Sequence, residues 1–146
     1  MNLRTADARD LPAIEALLTR HALPVVGVRE GLAGFTVAEE NGALIGVIGL
    51  EIHGAYGLLR SAAVEPAWQG KGIGRGLVAR VMAAARSRRL RALYLLTTTA
   101  AEYFPAFGFA LTDRGAAPEE MQRTAEFAGA CDATAVAMVL QLGEAD

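Results

Sequence analysis

Apolar residues in this chain change period several times, and each change predicts an element. Residues 3–6 read as a short first strand. Leu11, Ile14, Leu17 and Leu18 then fall on one helical face, with Asp10 placed to cap the helix. Residues 23–34 hold Pro24 and three glycines, follow neither period and read as irregular. Residues 35–40 and 43–53 flank Asn41-Gly42, the pair favoured in a type I′ turn, and predict a hairpin. Residues 58–64 form a fourth apolar run. Ile73, Leu77, Val78, Val81, Met82 and Ala85 recur at helical spacing and predict a helix from about 73 to 88.

Residues 91–98 read as a fifth strand. Thr99-Ala100-Ala101-Glu102 has the capping-box pattern, so a short helix is expected from Thr99 to near Gly108. Residues 109–112 follow as a strand, 118–127 as a helix and 133–142 as a last strand. The order β-α-β-β-β-α-β-α-β-α-β predicts a mixed α/β sheet of the α+β kind, with six to seven strands.

At 146 residues, 53% of them hydrophobic, the chain is expected to form one domain, 1–146, with a sizeable core. No apolar run reaches the ~18–20 residues of a membrane span. The first residues lack the basic-then-apolar layout of a signal peptide, so a cytoplasmic location is expected. Cys131 is the only cysteine, which excludes an internal disulfide framework. With two histidines it leaves too few soft ligands for zinc, and no metal is expected. A net charge of −2 gives no general attraction to nucleic acid or membrane. Arg75, Arg80, Arg86, Arg88, Arg89 and Arg91 lie on or just beyond the 73–88 helix. They read as a solvated face or as contacts to the phosphates of a large anionic cofactor, with Arg75 best placed.

The densest chemistry lies in Val64-Glu65-Pro66-Ala67-Trp68-Gln69-Gly70-Lys71-Gly72-Ile73-Gly74-Arg75-Gly76, where a strand runs through a glycine-alternating turn into a helix. Exposed N–H groups of such a turn, reinforced by the helix dipole, form an anion cradle. Lys71 within it is the chain's only lysine. A Walker A loop would need Ser or Thr after Lys71, where Gly72 stands. A dinucleotide fingerprint would need different glycine spacing and a carboxylate after the next strand, where Thr97-Thr98-Thr99 stands.

What remains is Gln/Arg-x-x-Gly-x-Gly/Ala, met by Gln69-Gly70-Lys71-Gly72-Ile73-Gly74, with Val64-x-Pro66 ahead and Phe104-x-x-x-Gly108-Phe109 behind. Together these resemble the acetyl-CoA-binding core of the GNAT N-acetyltransferase superfamily. The resemblance implies the GNAT acyl-CoA N-acyltransferase fold, in which strands 4 and 5 splay apart and pantetheine lies between them. Backbone groups of Ala62, Ala63 and Val64 would pair with its amides, and Gln69, Gly70, Lys71, Gly72, Ile73, Gly74 and Arg75 would hold the diphosphate. A backbone donor beside Val64 would polarise the thioester carbonyl. No cofactor besides acetyl-CoA, as acetyl donor, is implied.

The acceptor amine must be neutral to attack, so a base or a water chain to one is needed. Val47, Gly49, Glu51 and His53 share one face of the third strand by period-two alternation, and small Gly49 leaves room beside Glu51. Glu51 is the first candidate and His53 the second; an ion pair of Glu51 with Arg60 is the alternative. The family often places a tyrosine where this chain has Phe104, to protonate the departing thiolate. Phe cannot donate, so either the thiolate leaves without help from the protein or Tyr103 reaches in.

Leu95-Leu96-Thr97-Thr98-Thr99-Ala100, Pro105-Ala106-Phe107-Gly108-Phe109 and Thr124-Ala125-Glu126-Phe127 resemble one GNAT branch. It holds acetyltransferases associated with arsenic-resistance operons and is similar to N-acetylglutamate-synthase-like amino-acid acetyltransferases. That implies a small amino-acid-like amine as acceptor; the sequence leaves both a monomer and a homodimer open. An acid group on the acceptor calls for an arginine fork, for which Arg60 and Arg123 are the candidates, with Thr97 and Thr98 as hydrogen-bonding partners. A protein N-terminal or lysine acetyltransferase and a non-catalytic CoA-binding module remain open alternatives.

Overall fold

The computed structural model describes residues 1–130 and 134–143. Strands β1 (Asn2–Thr5), β2 (Phe35–Glu40), β3 (Ala43–His53) and β4 (Tyr56–Val64) pair antiparallel in that order. Strand β5 (Ala92–Thr97) joins β4 in parallel. Beyond it β7 (Val136–Gln141) lies antiparallel between β5 and the edge strand β6 (Ala110–Thr112). The result is the expected mixed sheet, with seven strands. The β2–β3 hairpin has the bounds expected from its turn, because Asn41 (φ 51°) and Gly42 (φ 82°) both take the positive φ of a type I′ turn.

Helix α2 (Ile73–Ser87) lays Ile73, Leu77, Val78, Val81 and Ala85 on one sheet face, against Ile48, Leu50, Leu59 and Leu93. Helix α1 (Leu11–Arg20) packs Ile14, Leu17 and Leu18 with Phe35, Val37 and Val47 on the other. The same face carries Leu58 and Tyr94 under Met121 of the short helix α3 (Glu119–Gln122), beside Phe127. Each fully buried Leu or Ile contributes about 1.5–3 kcal/mol relative to exposure. The sheet is therefore clamped from both sides around β3, β4 and β5.

Three local expectations are corrected. Asp10 does not cap α1 with its side chain; Asp7 caps the preceding 3-10 turn (Ala8–Asp10), and its own N–H donates to Asp10 Oδ2 at 2.8 Å. The chain enters α1 through that turn, so the cap sits one turn earlier. No α-helix starts at Thr99, and only a 3-10 turn forms, at Phe104–Phe107. Pro105 explains this: in an α-helix begun at Thr99 it would fall in the interior, where it lacks an N–H and its ring clashes with the carbonyl four residues back. Gly108 (φ 101°) ends the turn as expected. The 118–127 helix is broken in two, α3 and a π-helical turn (Glu126–Ala130), at Thr124, whose hydroxyl donates back to the Met121 carbonyl at 2.8 Å. Cys131 lies outside the described residues.

Candidate active site

Strands β4 and β5 pair only at Tyr56↔Ala92, Gly57↔Leu93 and Leu58↔Tyr94. Beyond Leu58, among the described residues, no ladder joins them, while β5 continues beside β7 as far as Thr97↔Val136. The cause lies in β4. Val47 pairs with Ala63 but Gly49 with Arg60, so Ser61 and Ala62 together face the single residue Ile48. Ser61 takes φ 60°, and this bulge bends the strand. The two strands thus form a V with its apex at Leu58, and among the described residues no strand pairs with residues 59–64 on the β5 side.

At the wide end of the V, a 3-10 turn (Pro66–Trp68) leads to Gly70 (φ 78°) and Gly72 (φ 87°). Both angles favour glycine, and a Cβ built on either residue meets nothing within 4 Å. Gly72 is the N-cap of α2 and brings no side-chain cap. The first intrahelical bond there runs from Gly76 N–H to the Gly72 carbonyl, at 3.1 Å. The N–H groups of Ile73, Gly74 and Arg75 therefore have no helical acceptor and lie at the positive end of the dipole. Gln69 spends its side-chain amide on the Val64 carbonyl at 3.0 Å, tying the turn to β4. Such a corner fits a diphosphate, held by main-chain donors with Lys71 and Arg75 exposed beside it.

A groove of about 830 Å³ continues from this corner along α2, lined by Arg75, Met82, Arg86, Tyr103 and Phe107 among others. Phe104 is buried in the α2-side core. Tyr103 instead lies at the groove, its hydroxyl 3.0 Å from where a Cβ on Gly74 would stand. Val64 reaches the same point at 3.9 Å, and the six residue steps from Val64 to Leu58 span at most about 20 Å of strand. Tyr103 is thus placed at the diphosphate end and not at the apex. Burial pushes its phenol up, Arg75 opposing, so the hydroxyl stays protonated.

Glu51 stands opposite Leu58, beside the apex, on the face that carries α1 and α3. Its Oε2 accepts from Arg60 Nη1 at 2.6 Å, and its Oε1 faces His53 Nε2 at 3.0 Å. Burial pushes the Glu51 carboxyl up, but the bonds from Arg60 and His53 outweigh it and hold it below the usual carboxylate range. Arg60 has no exposed side-chain surface. It donates to Ser61 Oγ (2.9 Å) and the Pro24 carbonyl (3.2 Å), pairs with Glu126 (3.3 Å) and lies 5.8 Å from the Phe35 ring centre.

Arg60 is therefore not presented as a fork for an incoming carboxylate. The room beside Gly49 is also taken: a Cβ there would stand 2.7 Å from the Phe35 ring. Arg123 lies exposed at the C-cap of α3, paired with Glu119, while Thr97 Oγ1 accepts from Ala100 N–H at 2.9 Å and Thr98 is exposed. Among the described residues no hydrogen bond or ion pair joins the four acceptor candidates. Sequence reasoning misses Glu126, which is nearly buried; its signal is a carboxylate set between Ala125 and Phe127. Among the described residues, no group of three or more His, Cys, Asp and Glu could hold a metal, and no helix is long and apolar enough to cross a membrane.

Residues 31–111 match the model of the acetyltransferase (GNAT) domain. The chain is 32% identical to an amino-acid acetyltransferase of Mycobacterium tuberculosis over 117 residues, which is 73% of this chain and 67% of that one. A solved M. tuberculosis protein in complex with CoA and a second ligand superposes with TM-score 0.84 at 28% identity, covering 98% of this chain and 100% of its own. The N-acetylglutamate synthase of Neisseria gonorrhoeae, complexed with coenzyme A and N-acetyl-glutamate, shares the fold. It superposes with TM-score 0.84 at 24% identity, over 98% of this chain and 35% of its own.

Proposed function

The chain belongs to the acetyltransferase (GNAT) family, and we propose that it moves an acetyl group from acetyl-CoA to the amine of a small amino-acid-like acceptor. It is an N-acetyltransferase, and acetyl-CoA supplies the activated acyl group as a thioester. The acceptor class rests on the likeness to the mycobacterial amino-acid acetyltransferase. The observation that carries the cofactor side is the join of the glycine corner to the unpaired arm of β4.

In this reading the N–H groups of residues 70–75 hold the diphosphate, and backbone groups of Ala62, Ala63 and Val64 pair with pantetheine. The donor for the thioester oxygen then belongs at the Ser61–Ala62 bulge, nearer the apex than Val64. One preorganised donor of this kind is worth about 10²–10³ in rate. Glu51, fixed at the apex by Arg60, faces the incoming ammonium. Arg123, Thr97 and Thr98 share no hydrogen bond or ion pair with Glu51 among the described residues, and they are offered as contacts for the acceptor's acid group.

The test is thiol release from acetyl-CoA across a panel of amino acids, their phosphinic and arsinic analogues, and peptides with free N-termini. Turnover confined to small amino-acid-like amines supports the reading, and the arsinic arm decides whether arsenic chemistry belongs to it. Turnover with peptides alone would overturn it.

A further inference from the structure

The proton shed by the acceptor has to leave the apex, and Glu51 is badly arranged to keep it. Both its oxygens are engaged, one by Arg60 and one by His53. An ionised carboxylate can only accept, so His53 Nε2 carries a hydrogen and the lone pair of the neutral ring sits on Nδ1. His53 closes β3 two residues from Glu51 on the same face, and its side chain is 35% exposed. The ring therefore spans from a half-buried carboxylate to water. Imidazole is the side chain suited to taking up and releasing a proton near neutral pH.

We propose that His53 is the proton relay of the transfer: the acceptor ammonium gives its proton, through water, to His53 Nδ1, while Glu51 and Arg60 hold the ring. The inference rests on the N-acetyltransferase reading above. The nitrogen bonds to the acetyl carbon as the carbon–sulfur bond breaks. Of the two protons the nitrogen loses, one ends on sulfur and the other passes by His53 to solvent. The charged and titratable groups around the ring come from β3, β4 and α3. Glu51 accepts from it, and Arg60 is shared between Glu51 and Glu126. Tyr56 stands opposite it in β4, and Glu120 of α3 approaches the neighbouring Gly54. Glu51 is then a positioning residue, which fits the low proton affinity that Arg60 imposes on it.

Two readouts test this. The first is the pH profile of kcat and KM, from pH 6 to 10, for wild type and His53→Gln, whose amide keeps a donor toward Glu51. A loss of about 10²-fold in kcat at pH 7 is expected, because general-base catalysis contributes about that much. The deficit should shrink to within about threefold above pH ~9, where an α-amine deprotonates by itself. The KM for acetyl-CoA should not move, and added imidazole should restore part of the rate. A deficit that is equal at all pH values, or no deficit, overturns the relay. The second readout needs no turnover: ¹⁵N NMR of histidine-labelled protein should show His53 as the Nε2–H tautomer, shifting in Glu51→Gln. An Nδ1–H tautomer overturns the relay. Absence of thiol release by wild type with any amine overturns the function instead, and the NMR readout then still decides how the ring is held.

Discussion

Arg60→Met keeps most of the side chain's length and removes its charge, and the structure sets the size of the consequence. Arg60 is shared by Glu51 and Glu126, and it also satisfies Ser61 and the Pro24 carbonyl. Removing one partner of a buried ion pair costs about 3–5 kcal/mol, because the remaining charge is left without its counterion. For a chain of this size that is a drop in Tm of about 6–20 °C at pH 7.5. The pH dependence carries the sharper test. In the wild type Glu51 has a depressed folded pKa, so its contribution is present above the unfolded value and is lost as pH falls through the folded one. In the variant, burial of Glu51 acts with its main opponent gone, so its folded pKa moves up and stability is lost as pH rises. The gap between the two proteins should therefore be widest at pH 7.5 and narrower at pH 5. Thermal melts followed by circular dichroism at both values measure it. A gap under about 3 °C at pH 7.5, or one that widens toward pH 5, would refute the ion-pair account.

Gly34→Ala should lower stability by about 3 kcal/mol or more, since its Cβ would overlap the Leu50 carbonyl oxygen and backbone yields less readily than a side chain; denaturant melts check it, and a cost under about 1 kcal/mol contradicts the packing. Gly72→Glu should weaken acetyl-CoA binding by at least tenfold in calorimetry, because it forces a side chain onto φ 87° and puts negative charge beside the cradle. Unchanged affinity would move the diphosphate elsewhere. Tyr103→Phe should alter the KM for acetyl-CoA and leave kcat within about twofold, as its hydroxyl stands at the diphosphate end; a large kcat loss with KM unchanged would place it at the sulfur.

What is legible in the sequence has a common cause. The β2–β3 hairpin and α2 are encoded by neighbours: an Asn-Gly turn, and an apolar stripe repeating every three to four residues. The glycine corner is legible for the same reason, since Gly70 and Gly72 announce positive φ within one short run. The bulge is not, because nothing local marks Ser61 for φ 60°. For Arg60 the sequence offers both a substrate fork and an ion pair with Glu51 across the hairpin, and the structure shows the pair; its partners at Pro24 and Glu126 come from distant segments and are not legible. Only the tertiary fold shows that its donors are already engaged. Thr99 fails as a cap because Pro105, six residues on, prevents the helix it would have started.

The same burial that disqualifies Arg60 as a substrate ligand gives the apex its electrostatic character. One guanidinium is set against two carboxylates, Glu51 and Glu126. Near neutral pH an amine arrives mostly as its ammonium, the form that cannot attack. Reactivity then requires the loss of a proton, and a route for that proton becomes a condition of turnover. Glu51 alone cannot meet that condition, since the cation that holds it in place also weakens it as a base. A group that is in contact with Glu51, is open to water and has an unengaged nitrogen can meet it. His53 at the end of β3 has these properties, and the hairpin that places it there is the most locally determined part of the fold.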